Sequence, residues 1–84
     1  MSTLSTFSAD HAVTLRVTVV SLPDAQRVLT VLTGRAYTVT RFEAEESTAG
    51  CWRLTIDLFL PADAVDLVRA RLERLPGALE VAAR

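Results

Sequence analysis

The chain has 84 residues, half of them hydrophobic and 23% charged, which describes one small globular domain rather than a disordered segment. Nine Arg, no Lys and ten acids leave a net charge of -1, without the basic surplus of a dedicated nucleic-acid binder. No run approaches ~18 consecutive apolar residues, so no membrane span is expected. The single Cys, Cys51, has no disulfide partner within the chain, which makes a reducing cytoplasm the expected compartment.

Residues 1–10, MSTLSTFSAD, are polar and rich in Ser and Thr, with neither the basic start nor the apolar centre of a signal peptide. They read as a flexible tail ahead of a single domain over 11–84. In AVTLRVTVV, Val13, Leu15, Val17 and Val19 alternate with Thr14, Arg16 and Thr18, the pattern of a strand with one buried face. SLPD follows. Ser21 is placed to cap the amide of residue 24, Asp24 completes a capping-box spacing, and Pro23 suits a first helical turn whose donors are orphaned anyway. Ala25, Val28, Leu29 and Leu32 then fall at helical offsets, and Gly34 is expected to end the helix in a left-handed cap.

RAYTVTRFEAEE predicts a second strand with an irregularity. Tyr37 and Val39 share a face, but strict alternation would turn Phe42 outward. One extra residue at Thr40–Arg41 restores Phe42 and Ala44 to the apolar face, so a β-bulge is predicted there. ESTAG is a turn. In CWRLTIDLFL, Trp52, Leu54, Ile56, Leu58 and Leu60 face the core of a third strand. Pro61 and Asp63 open a second helix with Val65, Val68, Leu72 and Leu75 inward and Arg69, Arg71 and Arg74 solvated. Pro76–Gly77 stops it, and ALEVAA forms a last strand presenting Leu79 and Val81. The order β-α-β-β-α-β gives an α+β fold: a ferredoxin-like four-stranded antiparallel sheet with two helices on one face.

Within that fold, RVLTVLTGRAYTV resembles the first helix and second strand of the ACT domain of acetohydroxyacid synthase (acetolactate synthase) regulatory subunits. Arg27, Val28, Leu29, Arg35, Tyr37 and Val39 match, and Ala36 stands where Gly is usual. RLTIDL resembles the family's third strand. RLERLPGALEV resembles its closing segment, with Leu72, Leu75, Leu79 and Val81 on the matching apolar positions. The likeness spans roughly 13–81 and is closest to short, single-domain members. It implies a non-catalytic regulatory subunit of branched-chain amino acid biosynthesis that binds and modulates the synthase catalytic subunit. It also implies a branched-chain amino acid as effector, and the open strand amides of so small a domain point to a homodimer through sheet edges. The effector-binding candidates carried over are Ser21, Leu22, Pro23, Asp24 and Ala25 at the first strand–helix loop, with Thr38 on the second strand. Pro23 stands where the family's ligand-contacting Gly is usual, and the chain has no Asn. The alternative reading is a stand-alone ACT-type domain that senses an amino acid.

The remaining polar residues carry blander explanations. His11 is the only His and falls beside the tail, and Cys51 reads as a small packing residue. Asp63 and Asp66 complement a helix N-terminus, Glu43, Glu45 and Glu46 read as a solvated run, and Trp52 belongs to the core. One aromatic, Phe59, on the outer sheet face is too few for an RNA-recognition platform. No enzyme active site, cofactor or metal site is expected, because no convergent set of titratable groups is found.

Overall fold

The structure is a computed structural model and describes residues 10–35, 37–47 and 50–83. Strand β1 covers Asp10–Val19 and leads into helix α1, Leu22–Gly34. Strands β2, Thr38–Glu46, and β3, Trp52–Pro61, form a hairpin. A single 3-10 turn over Ala62–Ala64 precedes helix α2, Val65–Glu73, and β4 closes the domain over Ala78–Ala83. The sheet order is β2-β3-β1-β4, and every neighbouring pair is antiparallel. This is the ferredoxin-like arrangement that the alternation of strand and helix signals predicts.

Alternation along β1 and β3 builds the core. Leu15 pairs with Ile56 and Val17 with Leu54, so one face of the two central strands presents an unbroken apolar surface. Val13, Val19, Leu58 and Leu60 extend it, while Ala25, Val28 and Leu32 of α1 and Val68 and Leu72 of α2 cover it. Each fully buried Leu, Ile or Val contributes roughly 1.5–3 kcal/mol through removal from water. Trp52, Val65, Leu75, Val81, Tyr37 and Phe42 pack around this centre, partly buried. The outer face carries Arg16, Thr18, Arg53, Thr55, Asp57 and Phe59. Thr14 donates from Oγ1 to Asp57 Oδ1 across the β1–β3 pair at 2.8 Å.

The β2 bulge falls where the pattern places it. Val39 opposes Leu58, Arg41 opposes Asp57, and the register shifts between them, which returns Phe42 to the core side opposite Ile56. Ala44 lies on the same side opposite Leu54 but stays exposed, beyond the reach of the helices. The ESTAG turn is closed by Ser47 N–H to the Cys51 carbonyl at 2.7 Å, and Gly50 supplies the positive φ of 80°.

Three expectations are corrected and one is refined. Strand β1 begins at Asp10, one residue inside the expected tail, and His11 pairs with Leu60; residues 1–9 fall outside the described residues. Gly34 is the last helical residue and has no positive φ, and the cap is Arg35 at φ -95°. A hydrogen bond from Tyr37 N–H back to the Leu32 carbonyl closes that end, as 6→1 bonds do at helix termini. The second helix starts with a 3-10 turn, with Pro61 at its cap. Leu79 does not face the core. The β1–β4 register jumps from Thr18–Glu80 to Val19–Ala78, so Leu79 is the extra residue of a bulge and is 59% exposed.

Leu15→Ala is therefore expected to lower the unfolding free energy by about 2–5 kcal/mol in equilibrium urea denaturation. Leu79→Ala is expected to cost under ~1 kcal/mol, because its side chain is largely in solvent already.

Candidate functional site

The loop between β1 and α1 is built on two anchors. Val20 N–H donates to the Gly77 carbonyl at 3.0 Å, which ties the end of β1 to the turn before β4. Ser21 is the helix N-cap, extended at φ -155° and ψ 163°, and its Oγ accepts from Asp24 N–H at 3.4 Å. The Ser21 carbonyl accepts from Ala25 N–H at 3.3 Å.

Asp24 departs from the usual capping box. Its carboxylate does not return to the cap residue's backbone; the Ser21 hydroxyl donates to Asp24 Oδ2 at 2.7 Å. Arg27 Nη1, one helical turn on, donates to Asp24 Oδ1 at 3.2 Å. The residue is only 8% exposed, and its carboxylate lies directly over Gly77. Gly77 has φ 86°, and a Cβ there would overlap the Asp24 carboxylate. Glycine is thus required at 77 twice, for backbone conformation and for space.

The α1 N-terminus is consequently closed. A helix start binds an anion through unpaired first-turn amides. Pro23 has none, and those of Asp24 and Ala25 are paired with Ser21. Leu22 N–H is the one first-turn donor without a partner among the described residues. The negative charge favoured at this position is supplied from within the chain by Asp24.

Of the six candidate residues, five are contiguous here. Leu22, 47% exposed, and Pro23 face solvent, Ser21 is half-buried, and Asp24 and Ala25 are buried. Thr38 is elsewhere. It opposes Phe59, which opposes Ala12, whereas the loop follows Val19 at the other end of the sheet. From Ala12 to Val19 the strand rises roughly 23 Å, so one chain does not bring Thr38 to the loop. Sequence reading missed the role of Gly77, whose partner lies 53 positions away in sequence and in a different element. The PG dipeptide marked a turn there, but nothing local identified Asp24 as the group above it.

Other chemistry-bearing groups are dispersed. Among the described residues no group of three or more His, Cys, Asp or Glu could hold a metal ion. His11 and Cys51 stand at opposite ends of the sheet. No described helix is long and apolar enough to cross a membrane.

No protein-family model matches the sequence, and no curated protein matches it. Solved structures do match in fold. The ACT domain of GTP pyrophosphokinase from Chlorobium tepidum superposes with a TM-score of 0.77 at 12% identity, over 89% of this chain and 99% of that one. The C-terminal domain of the MgtC protein from Mycobacterium tuberculosis gives 0.73 at 14% identity, over 90% and 87%. Protein TM1266 from Thermotoga maritima gives 0.71 at 14% identity, over 89% and 95%. The fold is the ferredoxin-like fold of ACT domains. At these identities the likeness is one of architecture, and the fold alone does not assign an activity.

Gly77→Ala is expected to destabilise the domain by more than ~1 kcal/mol, from positive φ and the added Cβ together. In an Asp24→Ala background the cost is expected to be smaller, leaving a coupling energy of about 0.5–3 kcal/mol in a double-mutant cycle. Additive effects would show that Asp24 and Gly77 do not meet.

Proposed function

We propose that this chain is a non-catalytic regulatory subunit that binds and modulates an acetohydroxyacid synthase catalytic subunit. The observation that carries this reading is the sequence resemblance on a chain whose fold is that of ACT domains. Arg27–Gly34 lies in α1 and Thr38–Val39 opens the edge strand β2, and Val81 of the closing segment packs inward against β1. A domain of 84 residues buries only ~60–65% of its unfolded surface, which favours a partner.

Self-association through the β2 edge fits the same reading. An antiparallel pairing of two β2 strands centred on Phe42 would oppose Arg41 of each copy to Glu43 of the other. These two side chains already pair within one chain, and hydrogen bonding to the Glu43 carboxylate, together with its charge, raises the Arg41 pKa. The same pairing would set Thr38 beside Glu46 of the second copy, at the end of the sheet where that copy's first loop lies.

This geometry is also the ground for the second reading, a stand-alone domain that senses an amino acid between copies. The closed start of α1 favours the subunit reading over it. A ligand carboxylate would meet one free amide and the Asp24 carboxylate.

Co-expression with the host's acetohydroxyacid synthase catalytic subunit is expected to yield a complex on affinity purification and to change the synthase rate. Absence of both a complex and a rate change would overturn the proposal. Calorimetry with valine, leucine and isoleucine separates the two readings: the subunit reading expects no binding heat to the isolated chain, and the sensor reading requires it.

A further inference from the structure

The helices leave a groove between them of ≈ 410 Å³, lined by Thr30, Val31, Gly34 and Arg35 of α1 and its cap and by Arg71 and Arg74 of α2 and its cap. Three arginines therefore line one concave surface, and no acidic residue lines it. The side-chain ion pairs among the described residues use Arg27, Arg41 and Arg69, and none uses these three. None of the three donates a side-chain hydrogen bond to a carbonyl or carboxylate among the described residues. Glu73, between Arg71 and Arg74 in sequence, projects about 100° away from Arg74 around the helix.

Complementing the helix dipoles does not account for this arrangement. A cation near each C-terminus has that effect, but it asks for no common direction. Here Arg35 ends α1, Arg71 lies in the last turn of α2, and Arg74 caps it, yet all three line the same groove. Arg71 is half-buried, and Val31 gives the groove an apolar wall. The groove is open beside Gly34, where a Cβ would meet nothing within 4 Å.

We propose that this groove binds a ligand carrying two adjacent phosphate groups, a diphosphate. Guanidinium forks match phosphate oxygens in bidentate geometry. A single carboxylate would leave two of the three cations uncompensated. Two adjacent phosphates carry several negative charges between them and can meet all three. The Thr30 hydroxyl, which donates to the Gln26 carbonyl at 2.9 Å, keeps its acceptor side only, so recognition rests on the arginines.

The test is calorimetric titration of the full chain with inorganic pyrophosphate and, separately, with ADP, to distinguish the free from the esterified source. Saturable binding of at least one of them, weakened by added salt, is expected. Arg35→Ala, Arg71→Ala and Arg74→Ala are each expected to weaken it about tenfold or more, the loss of a charge-assisted hydrogen bond. Gly34→Glu places a carboxylate in the groove where space is free, and is expected to abolish binding while circular dichroism shows an unchanged fold. Arg16→Ala and Arg53→Ala, on the outer sheet face, are expected to leave it unchanged. The proposal is overturned if neither compound binds, if the groove variants bind as the parent does, or if the outer-face variants lose binding. It is equally overturned if an acidic peptide binds the groove and pyrophosphate does not.

Discussion

The Asp24 carboxylate is the contact on which the geometry of this domain turns. It sits at the start of α1, accepts the Ser21 hydroxyl and the Arg27 guanidinium, and lies over the backbone of Gly77. Through it the end of β1, the first turn of α1 and the entry to β4 are held in one cluster, reinforced by the Val20–Gly77 backbone bond. A buried carboxylate is costly unless its lone pairs are met. Here both oxygens have a donor, and the helix N-terminus adds a favourable field. The contact also decides what the loop can do. An anion-binding helix start works by offering unpaired amides to a ligand, and this one is filled by a side chain of its own.

Away from that position, the sheet edges and the groove between the helices are two surfaces open to interaction. The two differ in character. Strand β2 carries Arg41, Glu43, Glu45 and Glu46, a mixed-charge edge that resists random strand addition and still permits a two-fold partner with opposite charges in register. The charged residues of the inter-helix groove are all cationic, with Arg35, Arg71 and Arg74 beside the apolar Val31. The core makes few demands on either, since it lies entirely on the helix side of β1 and β3. A domain of this kind can be read as a rigid frame that fixes two surfaces relative to one another.

Most of the frame is legible in the sequence because each signal is local. Alternation in β1 and β3 names the buried face residue by residue, and the Ser21–Pro23–Asp24 spacing marks the start of α1. The misplaced Phe42 reveals the β2 bulge because only one inserted residue restores its face. What was not legible depends on pairing. Leu79 continues the apolar pattern of β4, yet the register shift against β1 turns it outward, and no feature of ALEVAA records that shift. Gly34 looked like a left-handed cap, but the helix ends at Arg35 with Tyr37 bonding back to Leu32. The candidate site divides in the same way: its five contiguous residues form one cluster. The separation of Thr38 from them follows from the strand register, and the meeting of Asp24 with Gly77 from the place of β4 beside β1.

The central claim is that Asp24 occupies the anion position at the start of α1. A crystal structure of the full chain grown in saturating valine tests it most directly. The account predicts Asp24 still bonded to Ser21 above Gly77, with no amino-acid carboxylate on the first-turn amides. A valine carboxylate seated on the Leu22 and Asp24 amides, with Asp24 swung away from Gly77, would contradict it.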